Sequence, residues 1–206
     1  MKKILLAAMF LTTTAFAQGT STNTMSTRPD RDHAQKGVYL GYEYMNLSDI
    51  HLRYKFSGTG FNSSGYREGG THLGMSGINV GYNSTPDVGL GFKAGARILG
   101  AMNASEYGEK RIDMIIGEGN LTAAVNSYLA GYVGLNLAKF SGSQEIEKYE
   151  TQVGGQFGVS VRFSNSIAAN AGYTMLNQRR SSSTDEQKET LEVLFSGFNT
   201  SFAYTF

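Results

Sequence analysis

The sequence predicts an all-β protein, an eight-stranded antiparallel up-and-down transmembrane β-barrel over residues 37–206. Three observations predict it. After Gly37 apolar residues recur at every second position, the period that puts alternate side chains on opposite faces of a strand. No run of roughly 18 or more apolar residues, the length a membrane-crossing helix needs, follows residue 17. The composition, with 26 glycines, 12 tyrosines, 12 phenylalanines and only two prolines, suits strands and turns better than helices.

The chain starts with a positive Met1-Lys2-Lys3, an apolar run from Ile4 to Leu11 and the small-x-small site Ala15-Phe16-Ala17. This predicts a secretory signal peptide over residues 1–17, and therefore export. The chain carries 18 basic and 17 acidic residues, so losing Lys2 and Lys3 leaves it close to neutral and implies no nucleic-acid partner. With no cysteine, neither a disulfide nor a lipid-modified N-terminal cysteine is available, and stability falls to the sheet and the membrane around it. Residues 18–36 are polar and unpatterned, with Arg28, Asp30, Arg31 and Asp32, and read as a disordered periplasmic leader, the alternative being a plug inside the barrel.

The strands follow in order. The first sets Val38, Leu40, Tyr42 and Tyr44 against Tyr39, Gly41, Glu43 and Met45; the second, near His72 to Tyr82, sets Ile78, Val80 and Tyr82 against Gly77, Asn79 and Gly81. The third, 88–102, alternates most cleanly, with Leu90, Phe92, Ala94 and Ile98 facing away from Gly91, Lys93, Gly95 and Arg97. From 109 to 140 two readings compete, a turn at Asn126-Ser127 or one near 117–120. The first is preferred because it matches the fourth strand to the length of the third, with Leu121, Ala123 and Val125 outside and Glu118, Asn120 and Thr122 inside. The fifth strand carries Leu129, Val133, Leu135 and Leu137; the sixth Val153, Phe157, Val159, Val161 and Phe163 against Gly154, Gln156, Gly158, Ser160 and Arg162. The seventh carries Ile167, Ala169, Ala171, Tyr173 and Met175 against Asn170, Gly172 and Thr174; the eighth Phe198, Thr200, Phe202, Tyr204 and Phe206 against Asn199, Ser201, Ala203 and Thr205.

Short turns at 83–87, 126–127 and 164–166 follow the even strands, whereas longer polar segments such as 48–71 and 180–189 follow the odd ones. Bacterial outer-membrane barrels sort their connections this way, with turns in the periplasm and loops outside, so both termini are expected in the periplasm. A soluble sandwich would coat its solvated face densely with Lys and Glu. Here the polar face is small and sparsely charged, and the apolar face carries aromatics near its ends (Tyr42, Tyr44, Tyr82, Phe92, Phe157, Phe163, Tyr204 and Phe206), which fits a narrow lumen inside and lipid outside.

The C-terminal run, with aromatics at Phe202, Tyr204 and Phe206, resembles the signal read by the barrel-assembly machinery of outer membranes. Together with the leader and the alternating strands, residues 37–206 resemble the small eight-stranded outer-membrane barrel superfamily that includes the OmpA transmembrane domain and OmpX. No wall-binding domain of the OmpA type is expected after Phe206. The resemblance implies an outer-membrane location in a Gram-negative-type bacterium and partners drawn from membrane lipid, lipopolysaccharide and the assembly machinery.

Five charges fall on the lumen side: Glu43, Lys93, Arg97, Glu118 and Arg162. A lone charge in a narrow barrel is costly, so these predict one mutually satisfying network that plugs the lumen. A network that rearranges to gate a small pore, as the resemblance suggests for OmpA-like barrels, is the alternative. Arg53, Lys55, Arg67, Arg179 and Arg180 lie in the long loops, where lipopolysaccharide phosphates would be met. No enzyme is expected: the three histidines His33, His51 and His72 include no His-Ser pair, and His72 and Ser76 are too far apart along an extended strand for a hydrogen bond. Their spacing makes no metal site, each histidine reads as a solvated residue of the leader or a loop, and no cofactor is expected. Gly58-Thr59-Gly60 and the glycines of 65–70 precede no helix and read as a flexible surface loop rather than a phosphate cradle. Two functions follow. One is a plugged barrel serving envelope integrity or attachment to a host or prey surface, with Phe56, Phe61, Tyr66 and Tyr107 at its loop tips. The other is a narrow channel for ions or small hydrophobic molecules, for which the lumen glycines leave room.

Overall fold

The computed structural model describes residues 33–58, 61–107, 111–142, 148–183 and 187–206. The expected signal peptide and most of the expected leader lie outside the described residues. Eight strands run in chain order: β1 (Gln35–Gly58), β2 (Phe61–Thr85), β3 (Gly89–Ala101), β4 (Asp113–Asn126), β5 (Leu129–Ser141), β6 (Glu150–Arg162), β7 (Ile167–Ser183) and β8 (Gln187–Thr205), with a 3-10 turn at Ala104–Tyr107. Each pairs antiparallel with its neighbour, and β1 pairs with β8 to close the ring. Closure leaves the barrel no edge, so every ladder group within it finds a partner.

The alternation expected from the sequence sets the two faces. Leu90, Leu135 and Phe202 point outward at 56%, 64% and 54% exposure, whereas Glu43, Arg97 and Gln156 point inward at 1%, 3% and 2%. An exposed apolar belt around the whole circumference is the surface of a membrane-spanning barrel. Aromatic pairs brace it, among them Tyr82 with Phe92, Phe157 with Tyr173 and Tyr204 with Phe206.

At one end, three tight turns join β2 to β3, β4 to β5 and β6 to β7. The β4–β5 turn falls where the preferred reading put it, because the Asn126 side chain accepts hydrogen bonds from the amides of Tyr128 (2.8 Å) and Leu129 (2.9 Å). Ser164 does the same for Ser166 and Ile167 in the β6–β7 turn.

The opposite end differs from expectation. The segment 48–71, read as a polar loop, is strand: β1 shifts register between Leu47 and Asp49 and then pairs with β2 from Asp49↔Gly70 to Gly58↔Phe61. Over the same stretch β1 also pairs with β8, from Asp49↔Ser196 to Gly58↔Gln187, and β8 pairs with β7 up to Lys188↔Ser183. The segment 180–189 is thus also largely strand. Four strands therefore continue past the barrel as an open sheet, here called the flange. The glycines at 65, 69 and 70, read as a flexible loop, lie within β2; residues 59–60 fall outside the described residues.

The first strand also begins two residues before the expected leader boundary. His33, read as a solvated leader residue, is 4% exposed beneath the barrel.

Candidate functional site in the lumen and on the flange

The lumen is filled in three tiers. In the middle, the Arg97 guanidinium donates through Nη1 to Glu43 (2.8 Å) and through Nε to Glu118 (2.8 Å), with Nη2 donating to both Glu118 and Gln156. Gln156 Nε2 donates in turn to Glu118 (2.7 Å) and Asn120 (2.6 Å), and Asn79 and Asn199 each donate to Glu43 at 3.2 Å. The two carboxylates are thereby held by charge-assisted bonds, the condition under which buried charge is tolerated. Lys93 completes the balance of two cations against two anions, its ammonium 4.4 Å from the Tyr39 ring centre. A cavity of about 10 Å³ remains between these groups, bordered by Lys93, Glu118 and Tyr132. That is room for about one water.

Lumen glycines make space for this knot rather than a bore. A Cβ at Gly95 would lie 2.3 Å from the Tyr39 hydroxyl, and one at Gly134 would lie 2.2 Å from Asn120 Oδ1 and from the Gly119 carbonyl. The open bore that these glycines suggested in the sequence is occupied by neighbouring side chains.

Towards the flange lies an apolar stopper built from Met45, Leu47, Leu73, Met75, Leu99, Met114, Ile116 and Leu176, all buried. Phe140 meets Phe195 at 5.3 Å, and Ala104 and Ile112 from the β3–β4 connection fold over the cluster. This tier was missed in the sequence. Its signal is a loss of alternation: at Ile98-Leu99 and at 114–116 both faces are apolar.

At the turn end the floor is made by Arg162, which corrects the expected five-membered network. Arg162 does not meet Glu43, Arg97 or Glu118. Its guanidinium donates instead to the carbonyls of Pro86 (2.6 Å), Asp87 (3.0 Å), His33 (3.3 Å) and Asn126. The sequence could place Arg162 on the lumen face but not at its height, which depends on register.

On the flange, Tyr66 donates to Glu68 (2.7 Å) and lies 2.6 Å from His51 Nδ1, and the hydrogen bond to Glu68 raises the Tyr66 hydroxyl above its ordinary pKa. His51, read as a solvated loop residue, is thus part of a sheet. The five loop cations divide between two faces. Arg53, Lys55 and Arg179 share one, with Glu192 opposite both Arg53 and Arg179 in register; Arg67 and Arg180 lie on the other, opposite Leu52 and Leu191. They make no single cationic patch. Phe202, Tyr204 and Phe206 line the outward face of the last strand.

The edge of β2 is the other open feature. Its pairing with β3 stops at Met75↔Ala101. Beyond that point the connection caps only the first groups: Met102 N donates to the Gly74 carbonyl, and Asn103 bridges Gly74 N and the His72 carbonyl. From there to Phe61 no neighbouring strand flanks β2 on that side among the described residues.

The sequence matches no protein-family model and no curated protein. Among solved structures the chain is similar to the outer membrane protein OprG from Pseudomonas aeruginosa, with 13% identity and a TM-score of 0.49 over 84% of this chain and 98% of that one. It is similar also to Ail, the attachment invasion locus protein of Yersinia pestis (12%, 0.32, 79% and 99%), and to Neisserial surface protein A (17%, 0.35, 79% and 96%). At these values the likenesses assign no residue a role.

Proposed function

We propose that the chain is a non-enzymatic integral barrel of a Gram-negative-type outer membrane whose lumen is closed and whose work is done by the flange, in attachment to a host or prey surface or in envelope integrity. The turns and both termini then face the periplasm and the flange faces outward, where Arg53, Lys55, Arg67, Arg179 and Arg180 stand within reach of lipopolysaccharide phosphates. Phe202, Tyr204 and Phe206 serve as the signal to the assembly machinery.

One observation carries this reading: the lumen is blocked at three heights by buried side chains, while four strands continue past it into a sheet with an exposed edge and the exposed aromatics Tyr54, Phe56, Phe61 and Tyr66. An unpaired strand edge is a template for another extended chain, and exposed aromatics supply anchoring area. Replacing residues 53–66 by Asn-Gly leaves the Leu52↔Arg67 pair to close a shorter hairpin. Bacteria producing the trimmed barrel are expected to lose adhesion to a matrix-coated surface. Equal adhesion with equal surface levels would contradict the reading.

A narrow passage is the competing function, favoured by the small cavity beside Lys93, a cation without a carboxylate within salt-bridge distance among the described residues. A passage would require the Arg97 tier, the apolar stopper and the Arg162 floor all to open.

A further inference from the structure

Arg162 ends β6, faces inward at 1% exposure, and has carbonyls rather than carboxylates for partners. Those carbonyls belong to three separate segments: the residues entering β1, the β2–β3 turn and the β4–β5 turn. A planar guanidinium suits this task because its donors fan out in one plane. The incoming segment is pinned twice more, by His33 N donating to Asp87 Oδ1 (2.7 Å) and by the His33 ring packed edge-on against Tyr128 at 4.6 Å. The main-chain path into β1 is therefore drawn across the mouth of the barrel by side-chain contacts at His33, before the ladder with β2 begins at Gln35↔Thr85 and that with β8 at Tyr39↔Thr205.

The floor is also incompletely bonded. Arg162 Nε, His33 Nδ1 and Gln35 Nε2 are buried without a hydrogen-bond partner. Such groups cost free energy in the closed state that solvent returns on opening. The middle tier leaves the amide oxygens Asn79 Oδ1 and Asn136 Oδ1 without a partner, but its charged groups Arg97, Glu43 and Glu118 are each bound several times over, whereas Arg162 in the floor has a buried donor unpaired. The two ends of the polar lumen thus differ in how firmly they are shut.

We propose that Arg162 is the latch of a releasable floor, which holds the segment entering β1 and two turns together across the turn-end mouth. When the latch opens, His33 and Ala34 swing away from the mouth while β1 stays paired with β2 from Gln35 on, and the lower lumen becomes accessible up to the Arg97 tier, which stays closed. The barrel is then a cup open at the turn end rather than a pore. This inference is independent of what the flange binds.

The test uses the full chain, whose lack of cysteine makes an introduced thiol unique. Gln35→Cys puts that thiol behind the floor, where Gln35 is 2% exposed. Its labelling by a membrane-impermeant maleimide is measured in the folded, detergent-solubilised barrel. Slow labelling is expected in the parent and labelling faster by about tenfold or more with Arg162→Ala, because several charge-assisted bonds are lost together. Arg162→Lys, which keeps the charge but cannot span the carbonyls, should give a smaller increase, as should Asp87→Ala, which removes only the acceptor for His33 N. These two milder variants carry the test if Arg162→Ala does not fold. Unchanged labelling in the variants that retain the heat-modifiable band of a closed barrel would overturn the proposal, and so would a parent thiol that reacts at the rate of a free peptide.

Discussion

Residues 35–47 and 49–58 belong to one strand, β1, yet the two stretches obey different rules. Below the register shift, large residues point outward into an apolar belt and Tyr39, Glu43 and Met45 point into a packed lumen. Above it no residue of β1 is buried, and from Arg53 to Ser57 every one is exposed. The lower stretch is held by packing as well as by its ladders, whereas the upper one is held by its ladders to β2 and β8. A change of the same kind should therefore have very different consequences in the two places.

Glycine gives the widest contrast. Gly134→Val would drive a Cβ to 2.2 Å from the Gly119 carbonyl, so loss of the heat-modifiable folded band is expected on a gel. Gly69→Val, in the flange, meets nothing within 4 Å and should leave that band intact. If both variants folded equally well, lumen and flange would not differ as described. Next in size is Arg97→Ala, which strands Glu43 and Glu118 and should cost about 3–5 kcal/mol in urea unfolding from lipid vesicles. Met114→Ala in the stopper should cost about 2–5 kcal/mol by opening a cavity at a fully buried site. A value near zero there would mean that the apolar tier is loosely filled.

What the sequence disclosed follows the same division. Wherever one face of a strand is lipid-facing and the other lumenal, the period of two named the strand and its faces, as for Leu90 to Arg97 on β3 and Val153 to Arg162 on β6. The flange escaped notice because alternation records a difference between two environments, and strands with solvent on both faces have none to record. Within the lumen, Glu43, Lys93, Arg97 and Glu118 were recognisable as inward charges and do lie together. Arg162 shares their parity but not their height, since height is set by register around the ring. The apolar stopper was hidden for the opposite reason: where Met45, Leu99 and Met114 point inward, both faces are hydrophobic and the pattern reads as an interruption.

The smallest expected effect lies on the flange. Glu68→Ala removes the acceptor that raises Tyr66, so the phenol should titrate lower, towards its ordinary value of about 10, in a spectroscopic pH titration. Barrel stability should not move with it. A shift in unfolding free energy comparable to that of Arg97→Ala would tie the flange to the core more tightly than the register implies.

The central claim is that the lumen is closed, and single-channel recording in planar bilayers tests it most directly. The purified barrel, heat-modifiable and inserted, is expected to show no conductance steps, and Arg162→Ala is expected to remain silent too, because the Arg97 tier and the apolar stopper still block the path. Sustained steps from the unmodified chain would contradict the claim and make passage through the lumen its function.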